Sequence, residues 1–190
     1  DATQNLDPFV AVSGTVKACA VTLSKIANDL RLMSSGPRAG FFEINLPAKQ
    51  NGSSIMPGKV NPVIPEVVNQ VAFNVIGNDL TITMAAEAGQ LELNAFEPII
   101  FYCIFQSIDT LTYAVRTFID NGIITAISPH VGYQKAADIA KKSLRTGTPV
   151  RSLILAEKIL TTEELDEILD PIHMTEPGIS GKELLKKNNS

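Results

Sequence analysis

Between Phe9 and Leu30 the apolar residues fall at Phe9, Val12, Val16, Cys19, Leu23, Ile26 and Leu30, separated by 3, 4, 3, 4, 3 and 4 positions. Residues three and four apart share a face of an α-helix, so this spacing draws one narrow stripe along a helix of about six turns. A stripe this long is a bundle seam and excludes a strand reading of the segment. Asp7-Pro8 offers a capping side chain followed by a proline at the first helical position, and Ser34-Ser35-Gly36-Pro37 stops the pattern. The expected helix is 8–33.

Two further long patterns point the same way. From Pro65, Val67, Val68, Val71, Ala72, Val75 and Ile76 open a helix expected over 65–86, through the less favourable Gly77-Asn78-Asp79. A third, expected from Ala95 to Asp120, is apolar on nearly every side, as suits the centre of a large bundle. Three such helices expose more apolar stripe than one chain of 190 residues can cover, so association or a missing half is expected. Beyond Asn121-Gly122 the elements shorten. A helix near Tyr133 to Leu144 ends in Arg145-Thr146-Gly147, one is opened by Thr148-Pro149, and one by the capping-box spacing of Thr161 and Glu164. The fold class is therefore all-α: residues 1–121 belong to a central helical bundle, and 122–190 form a small C-terminal helical domain with a loose Lys/Asn tail.

Composition narrows the function classes. With 16 basic and 20 acidic residues the net charge is −4, which builds no field for nucleic acid or an anionic membrane. No unbroken run of about 18 apolar residues marks a membrane span. Cys19 and Cys103 lie inside apolar helical patterns and read as two buried thiols of a reducing, cytoplasmic compartment, with no metal site in the spacing. The start Asp1-Ala2-Thr3-Gln4, with neither Met nor a signal segment, is expected to be interior to something longer.

The chemistry is concentrated in residues 36–63, where glycines and prolines replace the helical pattern and only Phe41-Phe42-Glu43-Ile44 offers a short extended piece. Within it, the loop 47–62 carries Gly52-Ser53-Ser54-Ile55-Met56-Pro57-Gly58-Lys59-Val60-Asn61-Pro62, which sets two hydroxyls, an ammonium and a carboxamide between glycines, a composition suited to anion capture. It is not a phosphate-binding P-loop, because five residues separate Gly52 from Gly58 and Val60 follows the lysine. Nor is it a Ser-x-x-Lys acyl-transfer motif, since Met56 and Pro57 stand three residues after Ser53 and Ser54.

The segment resembles, at every specified position, the signature Gly-Ser-Ser-x-Met-Pro-x-Lys-x-Asn-Pro of the fumarase/aspartase superfamily, whose members add to or eliminate across the double bond of fumarate. Ser24-Lys25-Ile26-Ala27-Asn28-Asp29-Leu30-Arg31, Ser35-Gly36-Pro37-Arg38 and Gly77-Asn78-Asp79 extend the likeness in the same order. Lys59-Val60-Asn61-Pro62 is similar to the fumarase and aspartase branches rather than the argininosuccinate and adenylosuccinate lyases, and the stretch from Ile82 to Asn94 is similar to the aspartase branch.

The resemblance implies a lyase that eliminates ammonia from L-aspartate to give fumarate, without a cofactor. Ser53 is the implied base, workable only if its oxyanion is held by backbone N–H groups, positive charge and desolvation. Gly52 and Gly58 let the loop close, with Ser54, Met56 and Pro57 completing it. Lys59 supplies a compact charge and Asn61 a directional N–H to a substrate carboxylate. Glu66 matches a position where a carboxylate supports a histidine of another subunit, although an acid at a helix start also simply favours the dipole. The implied partners are a small dicarboxylate and three more copies, in a homotetramer whose sites are shared between subunits. Fumarate hydration, or a non-catalytic structural use of the fold, is the alternative. His130 and His173 match no catalytic position and read as surface or loop histidines; Glu87, Glu92, Lys135, Lys141 and Lys142 read as polar groups of helix faces or loops. Relatives are expected to be much longer, and to carry several more helical turns at Asn121-Gly122.

Overall fold

The computed structural model describes residues 3–36, 38–44, 46, 55, 61–170, 172–173 and 178–185, with the side chain of Leu144 excepted. Among these there are seven helices: α1 Asp7–Met33, α2 Val63–Glu87, α3 Glu97–Val131, α4 Tyr133–Thr146, α5 Val150–Ala156, α6 Thr162–Ile168 and α7 Lys182–Leu185. The only β feature among the described residues is an isolated bridge between Gln90 and Leu93. The chain divides into two compact units at Val115/Arg116, inside α3.

In the first unit α1 packs along α2. The face α1 buries is not centred on the expected stripe. Ser13, Ala20 and Ala27, seven apart, are its buried residues, whereas Val12, Cys19 and Ile26 are exposed. Small side chains at the contact let the two backbones approach, and Val16 and Leu23 fill the flanks against Ala72, Val75 and Leu111. The reading of Cys19 as buried is thus corrected; Cys103 is buried, and burial pushes its thiol up. A second cluster joins Leu6, Ile82, Ile100, Cys103 and Ile104, with Phe9 edge-on to Phe101 at 5.1 Å between ring centres.

The helix ends follow local chemistry with two exceptions. Asp7 is not the cap of α1: Leu6 holds that position without a side-chain bond, and Asp7 sits in the first turn, where its charge favours the dipole. α3 does not stop at Asn121-Gly122 but runs ten residues further. The break expected there would save roughly 1 kcal/mol of helix propensity, less than the flanking burial of Leu111, Ala114, Ile124 and Ile127 supplies. Pro129 lies inside its last turn and Gly132, at φ 81, ends it by adopting a conformation closed to most residues. Phe41-Phe42-Glu43-Ile44 is not extended either. Phe42 has φ 49, and its N–H bonds Ser35 O at 2.7 Å while Glu43 N–H bonds Met33 O at 2.9 Å, folding the segment onto the end of α1.

The second unit gathers short helices around one core, with Ile127, Ile154, Leu165 and Ile168 at its centre. Gly147, left-handed at φ 68, closes α4 through its N–H to Ser143 O at 2.8 Å. The expected capping box of α6 is complete, Glu164 N–H to Thr161 Oγ1 at 3.2 Å and Thr161 N–H to Glu164 Oε2 at 2.9 Å. The tail 186–190 lies outside the described residues. By length and hydropathy alone α1 and α3 would reach across a membrane, but α1 places Ser13 and Lys17 on Asp79 of α2, and α3 places Ser107 on Asn78.

Candidate active site

The loop that carries the sequence signature falls largely outside the described residues: Gly52, Ser53, Ser54, Met56, Pro57, Gly58 and Lys59 all do. Asn61 and Glu66 are described, and they show how α2 begins. Asn61 O accepts Val63 N–H at 2.9 Å, and Pro62 O accepts Glu66 N–H at 3.2 Å, the first bond of the helix. Pro65 stands in the first turn, where its missing N–H costs nothing, and is buried. Glu66 is therefore fixed on the turn immediately after the signature, half-buried, with its Oε1 3.8 Å from Arg31 Nη2.

A series of polar residues, buried at Asn69 and Asp79 and half-buried at Asn78, then runs down α2. Asn69 donates from Nδ2 to Ser24 O at 3.0 Å and Ser24 Oγ at 2.8 Å, and accepts from Arg31 Nη1 at 3.2 Å. Asp79 accepts from Ser13 Oγ at 2.7 Å and pairs with Lys17. Asn78 donates to Gln106 Oε1 at 3.1 Å and Ser107 Oγ at 3.0 Å. In the sequence Gly77-Asn78-Asp79 stands out only as a family-like segment and Asn69 not at all, yet Asn69, Ala72, Val75, Asp79 and Ile82 share one buried face, so a carboxylate and a carboxamide at that spacing called for partners on the facing helices.

Asn94 was missed as well. Almost wholly buried, it donates to Ala85 O at 3.0 Å and Ala86 O at 3.1 Å and accepts Phe96 N–H at 2.8 Å, thereby joining the end of α2 to the start of α3. His130 is corrected: it is a buried side chain, not a surface one, with Nε2 2.8 Å from Ser180 O. His173 is exposed, 3.0 Å from Glu167 Oε1, and Lys141 and Lys142 pair with Asp138 and Glu157. No group of three or more His, Cys, Asp or Glu among the described residues is placed to hold a metal ion.

Against known proteins, residues 1–77 match the family model described as Lyase and residues 123–176 the one described as Fumarase C C-terminus. An aspartate ammonia-lyase of Bacillus subtilis is 54% identical over 98% of this chain. The chain belongs to the fumarase/aspartase superfamily. Another superfamily relative, an aspartate ammonia-lyase of Helicobacter pylori, is 52% identical over 93% of the chain. Among solved structures, a fumarate lyase:delta crystallin from Brucella melitensis matches 91% of the chain at 50% identity and a TM-score of 0.59, and a class II fumarase from Schistosoma mansoni matches 93% at 33% identity and 0.62. The chain spans 44% and 42% of the lengths of the two ammonia-lyases and 42% and 41% of the two solved chains. The alignment with the Bacillus subtilis protein runs over 207 positions against 190 residues here, so that relative carries residues with no counterpart in this chain.

Proposed function

We propose that the chain forms part of an aspartate ammonia-lyase, eliminating ammonium from L-aspartate to give fumarate. One observation carries the reading: 54% identity to a protein of that name, over a stretch that includes the whole signature loop and the segment Ile82 to Asn94. The chemistry demands a base and strong anion stabilisation together, because the proton leaves the carbon beside the β-carboxylate and a second negative charge develops on that carboxylate. In this reading Ser53 takes the proton. Lys59 and Asn61 bind a substrate carboxylate and hold the developing charge, and ammonium leaves as the double bond forms. Gly52 and Gly58 let the loop close, and Glu66 orients a histidine of a neighbouring subunit in a homotetramer. The free thiols Cys19 and Cys103 suit a reducing, cytoplasmic setting.

A fumarase reading is kept open by the 33% identity to the class II fumarase. Both are tested by expressing the chain with the amino-terminal portion of the Bacillus subtilis relative. Fumarate with ammonium should yield aspartate, and fumarate alone little malate; rapid malate formation would select the hydratase. Ser53→Ala should abolish turnover while a dicarboxylate inhibitor still binds, because the base is lost and the carboxylate contacts remain. A variant within about threefold of the parent kcat would remove Ser53 from the role.

A further inference from the structure

We propose that Arg31 is a positioning residue for Glu66, locked in place by Asn69; the inference rests on the lyase reading above and on Glu66 acting within it. The lock starts from the most constrained group. Asn69 is almost wholly buried on α2, three residues after Glu66 and so on a neighbouring part of the same face. Its amide can be oriented only one way. The carbonyl of Ser24 can accept but not donate, so the NH2 of Asn69, 3.0 Å away, must point to it, and Oδ1 must point to α1's last turns. There Oδ1 accepts from Arg31 Nη1 at 3.2 Å, and Asn28 Oδ1, one turn earlier on α1, lies 3.4 Å from the same nitrogen.

With Nη1 held by two amide oxygens from two helices, the rigid plane of the guanidinium decides where Nη2 goes, and it lies 3.8 Å from Glu66 Oε1. The last turn of α1 thus delivers a fixed cation to a carboxylate on the first turn of α2, directly after the signature loop. Surface ion pairs at such a separation add little stability. What this one supplies is direction: Glu66 stays half-exposed, with Oε1 facing a cation whose position is set by its bond to the buried Asn69 and by Asn28. A carboxylate that orients a histidine loses effect when it wanders, because misalignment by a fraction of an ångström is enough to slow proton transfer. Arginine suits the task where lysine does not, since only the fork can hold Asn69 and face Glu66 at once.

The test is a double-mutant cycle in the active assembly formed with the amino-terminal portion. Arg31→Ala should lower kcat for aspartate about tenfold with KM within about twofold of the parent, and Arg31→Lys should recover part of the loss. In a Glu66→Gln background the same Arg31→Ala change should cost less than about twofold, since the group it positions is already gone. Arg31 is exposed enough that the variant should keep the parent's helical circular dichroism, with a modestly lowered melting temperature from the bond lost at Asn69. Parental kcat in Arg31→Ala would overturn the proposal. So would an equal loss in both backgrounds, which marks a structural role, or a rise in KM alone, which marks a substrate contact. An assembly with neither ammonia-lyase nor hydratase activity before any substitution would overturn the lyase reading itself, and this inference with it.

Discussion

In the unit from Arg116 onward, short helices turn their apolar faces to one shared centre, and Ile127, Val150, Ile154, Leu165 and Ile168 have no measurable exposure. In the unit built from α1, α2 and the first part of α3, the buried positions are largely small or polar, such as Ser13, Ala20, Ala27, Asn69, Ala72 and Asp79. Beside the buried Leu6, Ile82 and Ile100, several large side chains there stay outside: Phe73 is 63% exposed, and Leu80, Met84 and Phe105 are each 61% exposed. The difference follows from helix length. A short amphipathic helix has one apolar stripe and needs one partner surface, whereas a long helix that is apolar on several sides needs neighbours all round. The first unit carries helices made to be surrounded, and the second carries a core of its own.

The largest expected effect separates the two outright. Expressed alone, residues 116–190 should sediment as a folded monomer, while the 190-residue chain should associate or aggregate and show no lyase activity. A monodisperse monomer of the whole chain in analytical ultracentrifugation would erase the contrast. Next in size, Leu165→Ala should destabilise the second unit by about 2–5 kcal/mol in urea denaturation, as expected for a cavity in a closed core. Phe105→Ala should leave the chain's own unfolding within about 0.5 kcal/mol and weaken association instead. Equal losses at the two sites would show that Phe105 on α3 is as enclosed as Leu165 on α6.

Smaller still, Gly122→Ala should stabilise the protein by about 0.5–1 kcal/mol, because an added Cβ meets nothing within 4 Å and the residue lies inside α3. Destabilisation would mean that the helix is interrupted there after all. The smallest effect is local to the second unit. Asp170 accepts N–H bonds from His173 at 3.2 Å and Ile172 at 2.7 Å, which hold its carboxyl below the usual carboxylate range, with the positive charge of His173 adding to them. A lowered value in the fold means a contribution present above the ordinary carboxylate pKa and lost as pH falls through the folded value. The protection of the Ile172 and His173 amides, taken relative to their intrinsic exchange rates, should therefore fall as pH drops through the folded value of Asp170, and in Asp170→Asn that change in protection should vanish.

The type of six of the seven described helices and most of their boundaries were legible in the sequence because they depend on neighbours along the chain, whereas the short helix Lys182–Leu185 was not expected. The extent of α1, the Gly147 terminator and the Thr161 to Glu164 capping box were each found where the pattern put them. The signature loop was legible for another reason: its chemistry is written in consecutive residues from Gly52 to Pro62. Which face of α1 would be buried was not legible, since Val12 and Ile26 look more apolar than Ser13 and Ala27, and only the close approach of α2 favours the smaller pair. The same holds for Asn121-Gly122, a local stop signal overridden by burial on both sides of it, and for His130, whose partner lies fifty residues away at Ser180. The clamp of Asn69, Arg31 and Glu66 joins residues from two helices. Sequence alone determined most of the helices and the family signature of the loop, which local bonding and consecutive residues decide. Tertiary structure alone decided which polar groups meet, because a buried amide or carboxylate takes its partner from whatever the packing of distant segments brings within about 3 Å.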